Sequence, residues 1–364
     1  MDLNQKLHDV CRKFRIYDEY LGYETIQMGN VNHTYKVNFR LADGSPKSFL
    51  VQNVNTYAFR HPIQLMENID KVTEHIRSKA AGGVALHFHH TEDRKTYVVD
   101  GEDFWRMTNY IPSITFNAVQ DPEILRNAGA AFGEFQNQLA DFDIRELFET
   151  IPDFHNTCKR YETLDASIAA DAAGRVAEVQ EEIDFLMSVR DTACKLTVLG
   201  KEGKIPQRVT HNDTKINNVL FNMETKQPLV VIDLDTVMPG LVGNDFGDAI
   251  RFAANFVEED CSDYEKAGVD LEVFRAFTEG FLSKTAGTLT QLEADTLALS
   301  CFALTCELST RFLADYIDGD VYFHTKYPGH NLVRTRCQIA LAKDMLRKLP
   351  QMEQIVRECI AQAK

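Results

Sequence analysis

The chain has 364 residues and a formal net charge of −15, with 44% hydrophobic and 26% charged residues. A chain of this length can bury a large core in two domains or lobes, and its average composition excludes a disordered or fibrous protein. The negative charge excludes a non-specific binder of nucleic acids or anionic membranes, because such proteins need a basic surface. An anionic substrate would have to meet local positive charge or a metal ion.

Targeting signals and cysteine pairs are not evident in the sequence. The N-terminus has no apolar stretch typical of a signal peptide, and apolar runs such as residues 229–232 are far shorter than the roughly 18 residues of a membrane helix. The eight cysteines are scattered without a C-x-x-C pair, so reduced core thiols are expected rather than a zinc site. We therefore expect a cytoplasmic protein, monomeric by default, with neither nucleic acid nor membrane as a partner.

The first 110 residues combine strand and helix patterns. Apolar and polar residues alternate on both sides of the turn Asp43-Gly44, which is typical of a β-hairpin, and Pro112 ends the last strand-like run. The predicted elements are a hairpin of residues 34–39 and 48–52, a helix at 62–77 and a second hairpin at 96–107.

Beyond residue 122 the patterns are mainly helical. Apolar residues at helical spacing predict helices at residues 125–139, 161–189, 271–284, 291–318 and 331–362. Segment 200–260 differs, because it contains short strands and many polar residues. This order predicts an α+β protein with two lobes, namely a small antiparallel-sheet lobe at 1–110 and a larger, mainly helical lobe at 111–364.

The polar residues of segment 200–260 form a pattern that suits phosphoryl transfer. Residues 219–232 read as a short hairpin, so Asn218 and Asp233 at its two ends should lie side by side. Both offer the side-chain oxygens that Mg²⁺ prefers. Asp213 can then face an acceptor hydroxyl as a base, and Lys215 can neutralise phosphate charge. These groups are the ones that transfer of a phosphoryl group from ATP requires.

The run H-N-D-T-K-I-N-N at residues 211–218, followed by an aspartate at a strand end, resembles the catalytic loop of the protein-kinase-like superfamily. Its departures, H-N-D for H-R-D and I-D-L-D at the metal motif, resemble the aminoglycoside phosphotransferase and choline kinase branch, which phosphorylates small molecules. The resemblance implies a two-lobed protein-kinase-like fold, ATP as co-substrate, and Mg²⁺ held by Asn218 and Asp233.

A second candidate for the metal-binding aspartate occurs further along the chain. Asp245 begins a D-F-G string, but it lies 32 residues after Asp213, whereas Asp233 lies 20 residues after it. The shorter distance agrees better with the predicted hairpin. We therefore expect Asp233 to bind the metal, and Asp245 and Asp248 to order the loop.

Longer strings narrow the resemblance to N-acetylhexosamine 1-kinases. The resemblance extends over nearly the whole chain and is weakest in residues 1–110 and at the C-terminus. The strings that show it are R-V-T-H-N-D-T-K at 208–215, I-D-L-D-T-V-M-P-G at 232–240, D-F-G-D-A-I-R-F at 245–252 and R-F-L-A-D-Y at 311–316 with its continuation to 336. It implies phosphorylation of the anomeric hydroxyl of N-acetylglucosamine or N-acetylgalactosamine, without indicating which epimer is preferred.

The same resemblance implies roles for single residues. Asp213 would be the general base and contact the sugar, and Thr236, Arg311 and Tyr322 match positions that line the sugar pocket. The residues alone also allow simpler roles, since Arg311 is spaced to pair with Asp315 on a helix surface and Tyr322 is an ordinary candidate for a half-buried aromatic.

The nucleotide side of the site departs from the kinase pattern. Gln52 occupies the place of the lysine that contacts the α- and β-phosphates, so Lys215 and magnesium must neutralise more charge, and a pairing with a helix glutamate such as Glu67 is in doubt. Adenine is expected to bond the backbone near Tyr110 and Ile111.

The loop expected to cover the phosphates is a weak signal by itself. Residues 28–34 contain a single glycine, and Asn30 stands where hexosamine kinases have a histidine. Side-chain contacts from this loop to a sugar are therefore in doubt.

Other functions remain open. The acceptor could be choline, homoserine, a methylthio-pentose or an aminoglycoside. Choline needs an aromatic cage, and the single tryptophan, Trp105, lies in the N-terminal hairpin. The net charge permits the acidic pocket of an aminoglycoside kinase. A pseudokinase-like binding protein is the alternative from another class, and Gln52 is the one feature in its favour.

Overall fold

A computed structural model describes residues 2–26, 31–79, 84–117 and 121–363. The elements of the N-terminal part are α1 (Leu3–Lys13), β1 (Glu19–Ile26), β2 (His33–Arg40), β3 (Pro46–Asn53), α2 (Pro62–Lys79), β4 (Val98–Asp100) and β5 (Asp103–Asn109). The strands form one antiparallel sheet in the order β1-β2-β3-β5-β4. Both predicted hairpins and the predicted helix are confirmed, while α1 and β1 were not predicted.

The period-two alternation of the strands gives the sheet two faces with different tasks. On one face, Val37, Phe49, Val51 and Trp105 pack with α1 in a small core of their own. Residues of opposite parity point the other way, towards α2 and the helical lobe. Arg106 belongs to this second face, and it is nevertheless only 3% exposed.

The C-terminal part is mainly helical. Its helices are α3 (Pro122–Gln138), α4 (Thr157–Ala170), α5 (Gln180–Lys201), α6 (Val242–Ala253), α7 (Leu271–Thr285), α8 (Gln291–Ile317) and α9 (His330–Ala363). Two small sheets are embedded between α5 and α6: β6 (Arg208–Thr210) pairs with β9 (Met238–Gly240), and β7 (Val219–Phe221) pairs with β8 (Pro228–Val231). The prediction of a small antiparallel-sheet lobe followed by a larger helical one is confirmed.

Helix α8 forms the centre of the C-terminal lobe. By length and composition alone it could cross a membrane, but 94% of its most apolar stretch is buried inside the protein. A core helix of a globular protein has the same properties. All eight cysteines, each within the described ranges, are free in the structure.

Helices α3 and α7 approach each other closely through glycines. A Cβ atom on Gly280 would lie 1.9 Å from the carbonyl oxygen of Arg126, and one on Gly129 would lie 2.1 Å from that of Phe277. Only a residue without a side chain permits this separation of the two backbones. The glycines therefore fix the distance between α3 and α7.

The prediction of one continuous helix at residues 161–189 is wrong. The structure has α4 and α5 there, separated by a turn in which Asp171 and Gly174 adopt positive φ angles of 42° and 67°. The Asp171 carboxylate accepts hydrogen bonds from the amides of Arg175 and Val176, at 2.8 and 3.0 Å. A short polar side chain that bonds its own backbone competes with the helix, so the helix ends at this point.

Candidate active site

The catalytic-loop residues predicted from the sequence lie together just after β6. Oδ1 of Asp213 is 2.9 Å from Nζ of Lys215. The side-chain amide of Asn218 donates to the backbone oxygen of Asp213 at 2.8 Å and lies 3.4 Å from its Oδ2. Burial acts to lower the pKa of Lys215, but the carboxylates of Asp213 and Asp248 outweigh it and raise this pKa. The lysine is thus held as a cation beside Asp213.

The hairpin of β7 and β8 brings Asn218 and Asp233 side by side. Val219 pairs with Val231, and the amide of Ile232 donates to the backbone oxygen of Asn218 at 2.8 Å, so Asp233 follows directly. Asp233 reaches solvent, yet its pKa is raised to about 6, first because surrounding protein atoms displace water and then because Asp235 and Asp213 are close. A cation at this position would relieve the repulsion between the carboxylates.

The residues present fit a magnesium ion that is shared with a substrate. Within the described ranges, no group of three or more His, Cys, Asp or Glu side chains could hold a metal by itself. Mg²⁺ in phosphoryl-transfer sites takes only one or two protein carboxylates and completes its coordination with phosphates and water. An amide oxygen of Asn218 and a carboxylate of Asp233 suit that arrangement.

Asp245 orders the catalytic loop from α6 and does not lie at the end of the hairpin. Its two carboxylate oxygens accept the backbone amides of His211 and Asn212 at 2.9 and 2.7 Å, and Gln136 donates to it at 2.6 Å. These bonds hold Asn212 at a φ of 64°, which is uncommon for residues other than glycine but tolerated by asparagine. The loop-ordering role predicted for Asp245 is confirmed, although the sequence did not predict the helix that carries it.

Asp248, one turn further along α6, supports the same loop. Its carboxylate accepts the amide of Thr214 at 3.2 Å and the guanidinium of Arg251 at 2.9 Å. Burial acts to raise the pKa of Asp248, but Arg251 and Lys215 lower it overall. The carboxylate therefore stays charged and anchors the segment between Asp213 and Lys215.

His211 and Thr236 fix the backbone beneath Asp213. Nε2 of the buried His211 ring is 2.8 Å from the backbone oxygen of Ile232, and its Nδ1 is 3.3 Å from the amide nitrogen of Asp213. These partners fit an imidazole whose proton is on Nε2. The hydroxyl of Thr236 donates to the backbone oxygen of His211 at 2.6 Å. Thr236 is thus part of the loop's support as well as a predicted pocket residue.

His155 is a site residue that the sequence did not reveal. Its Nε2 lies 3.0 Å from the backbone oxygen of Asn212, and its Nδ1 lies 2.9 Å from Oε1 of the buried Glu307 on α8. Burial acts to lower the pKa of His155, but Glu307 outweighs it and the pKa is raised. The protonated ring donates to both partners and ties the catalytic loop to α8. No local pattern in the sequence marks a contact of this kind.

Arg311, one turn beyond Glu307, lies over the ring of Phe323 at 5.4 Å. It does not rely on the predicted i,i+4 partner Asp315, whose carboxylate accepts the amides of Val321, Tyr322 and Phe323 instead, at 2.7–2.9 Å. Tyr322 is 74% exposed, so the half-buried role is wrong. Both predicted pocket residues therefore lie on the helix and turn next to the His155–Glu307 contact.

The N-terminal sheet contributes a charged residue that the sequence analysis missed. Gln52 lies on β3, as expected, and accepts a hydrogen bond from Arg106 on β5 at 2.9 Å. Arg106 forms a buried ion pair with Asp235, two residues after Asp233. An arginine between the aromatic and apolar residues of a strand was a signal that could have identified it. Glu67 on α2 is exposed and does not replace this partner.

The connector after β5 carries the residues predicted to bind adenine. The amide of Tyr110 donates to the backbone oxygen of Ser48 at 3.2 Å, and the backbone oxygen of Ile111 accepts from Ser113 at 2.9 Å. Of the predicted phosphate-covering loop, residues 28–34, Met28, Gly29 and Asn30 lie outside the described residues.

The chain is similar in sequence to one protein family and in structure to several solved proteins. The sequence pattern of a phosphotransferase enzyme family, abbreviated APH, matches residues 27–277. Among solved structures, a spectinomycin phosphotransferase in complex with ADP and spectinomycin has a TM-score of 0.59 and 13% identity, over 96% of this chain and 98% of that chain.

Two further structures show the same similarity over the whole chain. An aminoglycoside phosphotransferase from Alicyclobacillus acidocaldarius has a TM-score of 0.62 and 13% identity, over 96% of both chains. A microcompartment-associated aminopropanol kinase has a TM-score of 0.61 and 16% identity, over 97% of this chain and 99% of that chain. These similarities confirm the predicted kinase-like fold.

Proposed function

Because the chain belongs to the phosphotransferase enzyme family, we propose that it transfers the γ-phosphoryl group of ATP to a hydroxyl group of a small molecule. The observation that carries this proposal is the juxtaposition of Asp213, Lys215, Asn218 and Asp233 in one loop and one hairpin. A base, a fixed cation and two oxygen ligands are the groups that phosphoryl transfer uses.

Each residue has a definite task in this reaction. Asp213 orients the acceptor hydroxyl and accepts its proton, while Lys215, 2.9 Å away, offers positive charge to the transferring group. Asn218 and Asp233 hold magnesium, which supplies positive charge against the phosphates when it is bound. Asp245 and His155 keep Asp213 in place through the backbone of residues 211 and 212.

We assign nucleotide binding to residues 1–110, and catalysis and acceptor binding to residues 111–364. Gln52 faces the nucleotide from β3, and the backbone at Tyr110 and Ile111 binds adenine. Since the amide of Tyr110 is taken by Ser48, the amide of Ile111 is the group we assign to the base. Eight free thiols suit the reducing cytoplasm, and we expect a monomer there.

We propose an N-acetylhexosamine as the acceptor, phosphorylated at its anomeric hydroxyl. The long sequence strings at residues 208–252 and 311–336 support it, as do the positions of Arg311 and Tyr322. Arg311 and Arg160 lie close together, but Glu307 and Asp153 lie near Arg160 as well, so the charge of this region does not select between a neutral sugar and a cationic acceptor.

An ADP-release assay with Mg²⁺ tests the proposal against its alternatives. The panel contains N-acetylglucosamine, N-acetylgalactosamine, homoserine, a methylthio-pentose, choline and an aminoglycoside, with phosphorus NMR to locate the new phosphate. We expect turnover with the N-acetylhexosamines and coupling of the phosphorus to the anomeric proton. Turnover with another acceptor alone would overturn the sugar assignment, and nucleotide binding without any turnover would favour the pseudokinase.

A variant of Arg311 tests the acceptor site itself. Loss of a charged hydrogen-bond donor in Arg311→Gln should raise KM for the sugar about 10- to 100-fold, with KM for ATP unchanged. Arg145→Gln is the matched control, because the Arg145 side chain is 87% exposed and pairs with Asp143 at the surface. An equal rise of both KM values in the Arg311 variant would place this residue outside the sugar pocket.

A further inference from the structure

Kinases place a lysine on β3, whereas this chain has Gln52 there and carries Arg106 on the neighbouring strand β5. Gln52 lies opposite Thr34 on β2 and opposite Arg106 on β5. Its carboxamide bridges the two, because Nε2 donates to Oγ1 of Thr34 at 3.1 Å and Oε1 accepts from Nε of Arg106 at 2.9 Å. The face of the sheet that looks towards the helical lobe therefore carries its positive charge one strand away from the usual position.

The two terminal nitrogens of Arg106 both contact one carboxylate. Its Nη2 lies 3.0 Å from Oδ2 of Asp235, and its Nη1 contacts Oδ1 of the same residue. The side chains of Arg106 and Asp235 are 3% and 4% exposed. A bidentate ion pair of this kind fixes the relative orientation of the two side chains. It contributes little net stability, because both charges must be removed from water to form it. The geometry thus suits a positioning task.

The carboxylate in this pair belongs to the metal-binding segment. Asp235 lies in the short 3-10 turn Leu234–Thr236, and Asp233 directly precedes that turn with a left-handed backbone, φ 62° and ψ 58°. This conformation is uncommon for residues other than glycine, although aspartate is among those that tolerate it. Asn32, which precedes β2, also donates to Oδ2 of Asp235 at 2.6 Å. The segment is therefore held from the N-terminal sheet.

In kinases, the β3 lysine pairs with a glutamate of the helix that follows. Here the corresponding helix offers a different contact. Glu67 of α2 is exposed, whereas Asn68 is buried and its amide donates to the backbone oxygen of Val237 at 3.0 Å. Helix α2 thus contacts the backbone at Val237, just after the turn that contains Asp235, through a neutral amide. The ion pair to Asp235 comes instead from Arg106 of the sheet.

We propose that Arg106 is a positioning residue which, through its pair with Asp235, holds Asp233 in the orientation that binds the magnesium–nucleotide complex. This pair takes the place of the lysine–glutamate pair and links the N-terminal sheet to the metal ligand without an intervening helix. The inference rests on the proposed kinase function, because that function assigns Asp233 to magnesium.

Calorimetric titration of ADP, with Mg²⁺ and with EDTA, tests the proposal without relying on turnover. Arg106→Lys keeps the charge but loses the second contact, and the double variant R106M/D235N removes both charges while nearly conserving volume. Arg40→Met is the matched control, since Arg40 lies on the same sheet and pairs with Glu19 at the surface, 2.9 Å away. Thermal melting checks that each variant folds.

We expect both Arg106 variants to bind ADP about 10- to 100-fold more weakly in the presence of Mg²⁺, as is typical when a residue that orients a metal ligand is lost. Binding of ADP in EDTA should stay unchanged, because Arg106 acts on the metal ligand and not on the phosphates. Arg40→Met should behave as the wild type in both titrations.

Three results would overturn the proposal. Wild-type affinity with Mg²⁺ in both Arg106 variants would show that the pair has no positioning task. An equal loss in EDTA would show that Arg106 binds the phosphates directly. If the wild-type protein itself bound no ADP with Mg²⁺ and phosphorylated no acceptor, the proposed function would fail together with this inference, and that outcome differs from the first two.

Discussion

Nζ of Lys215 lies 2.9 Å from Oδ1 of Asp213, two residues earlier in the chain. A hydrogen bond from the backbone amide of Thr214, between the two, to Asp248 keeps them on the same side of the loop. The lysine thus faces one oxygen of the carboxylate, while the other is directed towards the amide of Asn218 at 3.4 Å. The residues proposed as base, cation and metal ligand are thus held relative to one another by direct contacts.

Asp213→Asn should lower kcat about 10²- to 10⁴-fold, the usual contribution of general acid–base groups. Affinity for ADP and Mg²⁺ should remain, because Asn218 and Asp233 are intact. Steady-state kinetics and calorimetry measure the two quantities, and Asp191→Asn, at an exposed carboxylate, is the control. A variant that kept more than about a tenth of wild-type kcat would exclude Asp213 as the base.

Substitutions of Asp233 and Asp245 should have different effects. Asp233→Asn should raise the Mg²⁺ concentration needed for half-maximal activity, with little change in melting temperature, because the side chain reaches solvent. Asp245→Ala leaves two buried backbone amides and Gln136 without their acceptor. At about 1–3 kcal/mol for each unsatisfied group, it should lower the free energy of unfolding strongly.

The Mg²⁺ requirement of the Asp245 variant decides between the two aspartates. Any activity that Asp245→Ala retains should show the Mg²⁺ dependence of the wild type, measured by magnesium titration of the initial rate. A shifted magnesium requirement in this variant would instead identify Asp245 as a metal ligand.

His155→Gln should destabilise the protein by at most about 3–5 kcal/mol at pH 6, because it removes the ion-pair partner of the buried Glu307 while Arg311 and Arg160 remain nearby. The pKa of His155 is raised above its ordinary value of 6.5. Its stabilising contribution is therefore complete below 6.5 and is lost as the pH rises through the folded-state pKa. The pKa of Glu307 is lowered, because His155 outweighs the effect of burial. At acid pH the ion pair is therefore lost only when Glu307 becomes protonated.

Urea unfolding of the wild type and His155→Gln at about pH 6 and about pH 9 measures this contribution. The difference in unfolding free energy between the two proteins should be smaller at the higher pH. Equal differences at both values would mean that the ring is neutral in the folded protein.

Gly280→Ala should lower the free energy of unfolding by about 1–3 kcal/mol, the usual cost of overpacking. Alanine favours a helix over glycine by about 1 kcal/mol, but a Cβ atom 1.9 Å from the oxygen of Arg126 forces α3 and α7 apart. Gly287→Ala is the control, since a Cβ atom there meets nothing within 4 Å. Equal melting temperatures for the two variants would contradict the close packing of these helices.

Sequence patterns predicted most of this fold because its elements have local signals. Alternation revealed the hairpins, and the turn after Phe221 was enough to predict that Asn218 lies beside Asp233. The break at Asp171 was missed, although the D-A-A-G string at 171–174 marks it, because the apolar spacing continues on both sides. Local signals thus fail where two helices share one periodicity.

The supporting contacts of the site could not be predicted, because they join distant parts of the chain. His155 and Glu307 are 152 residues apart, and Arg106 and Asp235 are 129 residues apart. A single sequence records the residue types at both ends of such a contact but not their pairing. The residues proposed to face the substrates therefore have local sequence signals, whereas the residues that hold them in place do not.

The turn held by Asp315 has a consequence for how acceptor preference can change. The carboxylate of Asp315 accepts hydrogen bonds from the backbone amides of residues 321–323. These bonds involve the backbone, so they do not depend on which side chains the turn carries. Val321 and Tyr322 are 77% and 74% exposed, and exposed positions tolerate most replacements. Under the proposed acceptor site, randomising positions 321 and 322 while keeping Phe323, which packs against Phe312 and Arg311, should therefore give a library of folded proteins from which altered acceptor ranges can be selected in single steps.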